Sequence, residues 1–222
     1  MVRRIGLTVL WLGFLIYAFG FAPPDQPDTL ALIQRLSTGE WEGINPLIIA
    51  LFNIMGVLPM MYLGVLLVDG RGQKIPAFLF AIASFATGAF ALLPYLILRQ
   101  PNPQFSGEPN RLLKLLDSRG FGLVLLFAAL SLLTFGLTQG NWTDFVEQWK
   151  TSRFIHVMSL DFCLLSLLFP TLLGDDLARR GMTRGRWFWG VTCIPLLGPL
   201  FYLTVRPPLT KIADSSPSLE LS

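Results

Sequence analysis

The sequence is poor in charged residues and contains very little histidine or cysteine. Of its 222 residues, 14% are charged, one is histidine and two are cysteine, whereas 53% are hydrophobic. Soluble domains carry about 25% charged residues, and their surfaces need that polar cover. A disulfide scaffold requires more cysteine, and a disordered chain requires fewer apolar residues. The composition therefore excludes these classes and indicates an integral membrane protein.

Standard catalytic and cofactor signatures are also missing from the sequence. It contains no GxxxxGK[ST], HExxH, CxxC or GxSxG motif. Because His156 is the single histidine, one chain cannot build a multi-histidine metal site, and we predict no metal. Cys163 and Cys193 lie in separate apolar segments and are interpreted as small packing residues. Whether the protein is an enzyme stays open at this point.

Long apolar segments dominate what is present. A helix needs about 20 apolar residues to cross the hydrocarbon core, and these segments lack the alternating pattern of a transmembrane barrel. Helices also satisfy their own backbone hydrogen bonds in lipid. We predict an all-α polytopic membrane helical bundle of about six transmembrane helices, forming one domain over residues 1–222. The predicted spans are 5–22, 44–68, 75–98, 120–138, 154–174 and 187–205, followed by a flexible tail at 206–222.

The amino-terminal segment and the membrane orientation leave alternatives open. Arg3 and Arg4 before an apolar stretch could mark a signal peptide, but Pro23 directly after Ala22 is a poor cleavage position. We therefore expect the first span to be retained. With six spans, eight basic residues fall on one side and nine on the other. The positive-inside rule needs an excess on one side, so the orientation stays open.

The third predicted span carries a stripe of small residues at helical spacing. Such stripes allow two membrane helices to approach closely, and we interpret this one as a packing face. Its members are Ala77, Ala81, Ser84, Gly88 and Ala91.

The fifth predicted span carries several polar side chains. At 100° per residue, a small polar face forms on one side of this helix. The carboxylate of Asp161 lies elsewhere on the helix and about 12 Å beyond Arg153. A buried carboxylate costs several kcal/mol unless it is neutral, paired or hydrated. The polar face consists of His156, Ser159, Cys163 and Ser166.

Asp161 therefore needs a partner, and its role and that of His156 have two interpretations. Asn53 in the second span is the leading candidate partner, and Arg99 is the second. In the functional interpretation His156 is a proton shuttle or axial ligand, and Asp161 is an acid, base or counter-ion. In the structural interpretation His156 is an interfacial hydrogen-bonding residue and Asp161 joins two helices.

Two basic segments complete the set of candidate sites. Asn110–Asp117 has apolar and basic helical faces, which suits either anionic headgroups or a connector packed on the bundle. After the fifth span we expect an exposed helical turn with ion pairs between residues 175 and 179 and between 176 and 180. The alternative is a site for an anionic headgroup or partner. That site would consist of Arg179, Arg180, Arg184 and Arg186.

Several short motifs, taken in order, resemble a known group of membrane proteins. They are Phe52-Asn53-Ile-Met-Gly56-Val-Leu-Pro59-Met-Met-Tyr62, the H-x4-D of His156 and Asp161, Asp175-Asp176, and Ile194-Pro195-Leu-Leu-Gly198-Pro199-Leu-Phe-Tyr202. The chain is similar over residues 44–205 to small multi-pass membrane proteins of cyanobacteria and chloroplasts. These include the plastid family required for neoxanthin synthesis. The resemblance implies a thylakoid-type membrane and a role connected with pigments or photosystems.

Three functional hypotheses follow. The preferred one is a non-enzymatic accessory or assembly factor for pigment handling or a photosynthetic complex. Its partners would be the lipid bilayer, photosystem subunits and a pigment such as chlorophyll or carotenoid, with no nucleic acid. The alternative is an enzyme acting on a carotenoid or other isoprenoid lipid through Asp161 and His156. A small-solute transporter ranks third, because transporters usually contain internal repeats and we expect none here.

Overall fold

The computed structural model describes residues 1–105, 107–183 and 185–209, except for the side chain of Arg186. Within these residues it contains twelve helices and no strand. The predicted tail beyond residue 209 lies outside the described residues. The helices are α1 Val2–Gly20, α2 Thr29–Thr38, α3 Pro46–Asp69, α4 Ala77–Thr87, α5 Ala89–Leu98, α6 Arg111–Leu116, α7 Arg119–Gln139, α8 Trp142–Thr151, α9 Arg153–Leu168, α10 Pro170–Arg179, α11 Gly185–Thr192 and α12 Leu197–Val205.

Four helical units in the described chain are long and apolar enough to cross a membrane. They are α1, α3, α7 and the continuous unit Arg153–Arg179, in which α9 leads into α10 at Pro170. The prediction of an all-helical chain is therefore confirmed, and these four units agree with a membrane protein, but the count of six is not confirmed. We call the end of the bundle that contains Arg3, Asp69 and Arg206 end A. The opposite end, which contains Asn45 and Arg153, is end B.

The third predicted span, residues 75–98, is a hairpin of two short helices. Gly88 separates α4 from α5 with φ +54° and ψ −127°, a conformation that favours glycine. The backbone N–H of Gln100 donates to Gln73 Oε1 at 2.9 Å, and the Gln73 amide donates to the Gln100 carbonyl at 2.7 Å. Both ends of the hairpin therefore lie together at end A. The 11 residues of α4 reach about 16 Å, half the length of a span.

The sixth predicted span, residues 187–205, is a second hairpin with the same orientation. The turn between α11 and α12 includes Leu196 at φ +67°. The two arms are so close that a Cβ added to Gly198 would lie 2.4 Å from the Val191 carbonyl oxygen. After α12 the chain returns to the end of α10, where the Arg180 guanidinium donates to the Pro207 carbonyl at 2.6 Å. This hairpin also begins and ends at end A.

The two halves of the chain repeat one arrangement, contrary to the expectation of no internal repeat. Each half contains a long helix, a ten-residue helix at end B, a second long helix and a hairpin at end A. The second long helix and the hairpin keep a constant offset of 107 residues between the halves. The equivalent pairs are Asp69 and Asp176, Tyr95 and Tyr202, Arg99 and Arg206, and Pro101 and Pro208.

Contacts between the halves are reciprocal. At end B the Asn45 amide, before α3, donates to the Asn141 carbonyl after α7 at 2.7 Å. The Arg153 guanidinium, at the start of α9, donates to the Pro23 carbonyl after α1 at 3.0 Å. Within each half, the second helix of the hairpin packs on the first long helix, α5 on α1 and α12 on α7. The two halves are thus built alike and contact each other in the same way at end B.

The core lies along α3, which packs on α4, α7 and α9. Tyr62 of α3 is fully buried, and its hydroxyl donates to the Leu165 carbonyl at 2.6 Å. Four members of the small-residue stripe are buried, namely Ala77, Ala81 and Ser84 on α4 and Gly88 at the break, so a packing role suits them. Ala91 lies beyond the break on α5 and is partly buried, so the stripe does not continue across the hairpin.

Candidate functional site

A cavity of about 400 Å³ extends from end B to the tip of the first hairpin. Its mouth is polar, because Arg153 Nη1 and Asp25 Oδ2 form an ion pair there at 2.8 Å. Its floor contains Gly88 of the hairpin and Asp161 of α9. Since Asp161 lies about 12 Å along the helix from Arg153, the cavity reaches toward the middle of the bundle.

The walls of this cavity are apolar and rich in aromatic rings. Met55 of α3 and Met158 of α9 add flexible thioether side chains between the rings. Aromatic and thioether surfaces pack well on flat or conjugated ligands. The cavity phenylalanines are Phe19, Phe52, Phe85, Phe90 and Phe154.

The Asp161 carboxylate caps the amino terminus of the half-helix α5. Asp161 Oδ1 accepts the backbone N–H of Ala89, the first residue of α5, at 2.7 Å. The first N–H groups of a helix lack partners within the helix and carry partial positive charge. The predicted need of Asp161 for a partner is therefore met by a backbone group that is available only because the helix breaks at Gly88.

The second carboxylate oxygen of Asp161 remains available. Within the described chain, no hydrogen bond involves Asp161 Oδ2. It lies directly beside Gly88, where an added Cβ would approach it to 1.7 Å. Only glycine fits there, because a Cβ would collide with the carboxylate. With a hydrogen in that position, Asp161 Oδ2 stays accessible from the cavity floor. The site thus presents one buried hydrogen-bond acceptor within an aromatic cavity.

Neither predicted partner of Asp161 is its partner in the structure. The Asn53 side chain donates to the Ile49 carbonyl on its own helix at 2.8 Å. Arg99 lies at end A, where its guanidinium binds Asp69. Both predictions were wrong for one reason: they considered only side chains, whereas a backbone N–H meets the carboxylate.

His156 is separated from Asp161 and has both ring nitrogens occupied. Its Nδ1 donates to the Trp149 carbonyl at 2.9 Å, and its Nε2 accepts the Tyr17 hydroxyl at 2.9 Å. Its ring also stacks on the Trp149 indole, with centroids 4.1 Å apart. His156 lines a different groove, between α1 and α9. This geometry matches the structural interpretation, in which His156 joins α1, α8 and α9.

The other polar residues of this face do not reach the Asp161 cavity. Ser159 donates to the Ile155 carbonyl one turn earlier at 2.7 Å. Cys163 is exposed and shares a small apolar cavity of about 220 Å³ with Ser159. The Ser166 hydroxyl is buried and has no partner in the part of the chain that the structure describes. Cys163 and Cys193 are both exposed, contrary to their interpretation as small packing residues.

A balanced network of charges is buried at end A. Asp69 Oδ1 accepts Arg99 Nη2 at 2.6 Å and also binds Arg179, while Tyr95 donates to Asp69 Oδ2 at 2.6 Å. In the second half Tyr202 donates to Asp176 Oδ2 at 2.7 Å. Four carboxylates and four guanidinium groups form this end A network. They are Asp69, Asp117, Asp175, Asp176, Arg99, Arg179, Arg180 and Arg206.

The expected exposed basic site on Arg179 and Arg180 is not found, because both side chains are buried. The predicted pair between Asp176 and Arg180 is present at 3.0 Å, but Arg179 binds Asp69 instead of Asp175. Burial disfavours the charged form of Arg180, yet its two carboxylate partners outweigh burial and raise its pKa. The other two residues of the predicted basic site are Arg184 and Arg186. Arg184 and the side chain of Arg186 lie outside the described residues.

Sequence reasoning missed the end A network, although the sequence carries a signal for it. The pattern Tyr-Leu-x-x-Arg-x-Pro occurs at Tyr95–Pro101 and again at Tyr202–Pro208. In both copies the tyrosine and the arginine bind the equivalent aspartate at the end of the preceding long helix.

Comparison of the chain with protein-family models, with curated proteins and with solved structures finds no match.

Proposed function

We propose that the chain crosses a thylakoid-type membrane four times, with both hairpins entering from the cytoplasmic or stromal face. The charge distribution supports this topology, since eleven of the described basic residues lie at end A and three at end B. A four-span topology thus has the excess that the positive-inside rule requires. End A contains Arg3, Arg4, Arg71, Lys74, Arg99, Arg111, Lys114, Arg119, Arg179, Arg180 and Arg206, and end B contains Arg35, Lys150 and Arg153.

Within this topology, the protein binds a membrane-dissolved isoprenoid ligand in the cavity at Asp161. The observation that supports this most is the free Oδ2 oxygen at the floor of an aromatic cavity of about 400 Å³. Ligand pockets commonly have this size, with apolar walls and a few polar groups that fix orientation. The ligand therefore has an apolar body and one hydrogen-bond donor. A carotenoid or chlorophyll-type pigment with a hydroxyl group meets both requirements.

The role is binding and handling of the ligand without chemical change. The titratable groups known to line the cavity are Asp161 at its floor and Asp25 and Arg153 at its mouth. His156, the other member of the enzymatic hypothesis, lies in a different groove with both nitrogens bonded. General acid–base catalysis needs its groups within reach of one substrate, and this separation disfavours the enzyme. We therefore rank first an accessory or assembly factor that delivers pigment to photosystem subunits.

A carrier for a small solute is the second candidate, and the internal repeat favours it. Carriers place their binding sites near the membrane midplane, between repeats and beside broken helices. Here Asp161 of the second half binds Ala89 at the hairpin tip of the first half. The reason for ranking a transporter third therefore no longer holds.

Replacing Asp161 by asparagine tests the binding site. Asparagine retains a carbonyl oxygen to accept the Ala89 N–H, so the hairpin keeps its cap. The amide nitrogen that replaces Oδ2 cannot accept the hydrogen bond from the ligand, and we expect about tenfold less ligand bound. Wild type and Asp161→Asn are purified from native membranes in mild detergent, and bound pigments and lipids are extracted and quantified by absorbance and mass spectrometry.

Glu147→Gln, an exposed carboxylate outside the cavity, is the matched control and should retain ligand like wild type. Equal ligand content in wild type and Asp161→Asn, with equal melting temperatures, would contradict the proposed site. Reconstituted vesicles then separate the two candidates. Retention of ligand without flux supports the accessory factor, and solute flux that is lost in Asp161→Asn supports the carrier.

A further inference from the structure

A second polar pocket lies at end A, where α7 begins, and shares no lining residue with the Asp161 cavity. Its volume is about 450 Å³, and its charged members are three basic residues and one carboxylate. The carboxylate, Asp117, is already bound to Arg180 at 2.6 Å and Arg206 at 3.0 Å. The basic members are Lys114, Arg119 and Arg206.

The amino terminus of α7 lies at this pocket, since Ser118 and Arg119 line it. Ser118 caps the helix, since its Oγ accepts the Phe121 N–H at 3.1 Å. Among described residues, no partner accepts the N–H of Arg119 or Gly120. A Cβ added to Gly120 would meet only Ser118 Oγ, at 3.9 Å, so an approaching group has space. A helix terminus with free N–H groups attracts anions.

Arg206 carries a buried hydrogen-bond donor that lacks a partner. Its guanidinium is buried, and its Nε has no hydrogen-bond partner within the described chain. Its other nitrogens face two carboxylates, Asp117 at 3.0 Å and Asp176 at 3.3 Å, and the carbonyls of Gly64 at 3.4 Å and Leu116 at 3.3 Å. Burial and the nearby Arg180 lower the pKa of Arg206, although Asp176 and Asp117 act in the opposite direction. The Nε–H group is therefore the donor of Arg206 that is left for an additional acceptor.

We infer that this pocket binds a phosphate-bearing anion. The helix terminus and Arg206 form its inner part, while the exposed side chains of Lys114 and Arg119 flank its opening. Tetrahedral phosphate oxygens accept hydrogen bonds from such a set in several directions. The pocket lies at the level where α3, α5 and α12 end, so a phospholipid headgroup and free phosphate are the two sources of this chemistry.

The test uses the full chain in neutral detergent and titration calorimetry with two probes, inorganic phosphate and short-chain phosphatidylglycerol. We expect the double substitution Lys114→Ala, Arg119→Ala to weaken binding at least about tenfold, because two charged partners are lost. A double control, Lys74→Ala with Arg111→Ala, removes the same charge from exposed residues at end A that do not line the pocket. This control should bind like wild type.

The outcomes distinguish the source of the phosphate and the validity of the site. Binding of both probes identifies the phosphate group itself as the ligand, whereas binding of phosphatidylglycerol alone identifies a lipid headgroup. A short-chain glycolipid without phosphate should not bind. Absence of binding by either probe, or equal weakening in the pocket variant and the control, would overturn the inference.

Discussion

Replacing Asp176 by asparagine should lower the free energy of unfolding by about 3–5 kcal/mol, the cost of removing one partner from a buried ion pair. Asp176 is fully buried and binds the guanidinium groups of Arg180 at 3.0 Å and Arg206 at 3.3 Å. The substitution removes one of the two carboxylates, Asp176 and Asp117, that both buried cations share. It also weakens the bond from the Tyr202 hydroxyl, which holds the second hairpin. Unfolding by sodium dodecyl sulfate in mixed micelles measures the change.

The control for this prediction is the same substitution in an exposed pair. Asp25 and Arg153 form an ion pair at the cavity mouth, where the side chains are 66% and 30% exposed. Exposed ion pairs contribute about 0–1 kcal/mol, so Asp25→Asn should have little effect. Equal effects of Asp176→Asn and Asp25→Asn would show that the end A network does not stabilise the hairpins.

Replacing Gly88 by alanine should cost about 3 kcal/mol or more. The φ of +54° strains a residue that carries a Cβ, at about 1–3 kcal/mol. The added methyl group would also lie 1.7 Å from Asp161 Oδ2, so the carboxylate must move away from the Ala89 N–H. Overpacking of this kind costs about 1–3 kcal/mol more. Unfolding by sodium dodecyl sulfate in mixed micelles measures this change too, and we expect the content of bound ligand to fall as well.

Gly56 of α3 offers a matched glycine, since a Cβ added there meets no atom within 4 Å. Gly56→Ala should be neutral or stabilise the helix by up to about 1 kcal/mol. Adding Asp161→Ala to Gly88→Ala should recover part of the loss, because the collision disappears while the φ strain remains. Strictly additive effects of the two substitutions would contradict the contact between the hairpin tip and α9.

The apolar segments were predictable from the sequence, but their paths were not. Hydropathy identifies an apolar segment that is long enough to cross a membrane. Residues 75–98 and 187–205 meet that criterion as well as the four long helical units do. A hairpin of two half-length helices has the same composition as one span. The difference depends on single positions, Gly88 and the turn at Leu196. Gly88 was interpreted as part of a packing stripe, which is a role that glycine also has in membrane helices.

The candidate site was partly predictable for a similar reason. A carboxylate deep in an apolar segment had to have a partner, and the structure provides one for Asp161. The identity of that partner required knowledge of the break at Gly88, because an unbroken helix has no free N–H at that depth. The exclusion of His156 from the cavity depends on how α1 and α9 pack, which no local pattern encodes.

The charge balance shows how the assumption of six spans affected several predictions. Six spans divide the basic residues eight to nine, and they put Arg99 and Arg206 on opposite sides of the membrane. With two hairpins both residues lie at end A, where each binds the equivalent aspartate. The repeated Tyr-Leu-x-x-Arg-x-Pro pattern contained this information, but two copies that share four of seven residues are visible only when the halves are aligned.

The most direct test of this account is the sidedness of the first hairpin in sealed membrane vesicles. Single cysteines replace Lys74, Gln100 or Lys150 in a chain whose native cysteines are changed to alanine, and an impermeant maleimide labels them from one side. All three positions are exposed. The account predicts that positions 74 and 100 react from the same side and position 150 from the opposite side. Reaction of positions 74 and 100 from opposite sides would contradict the hairpin and its contact with Asp161.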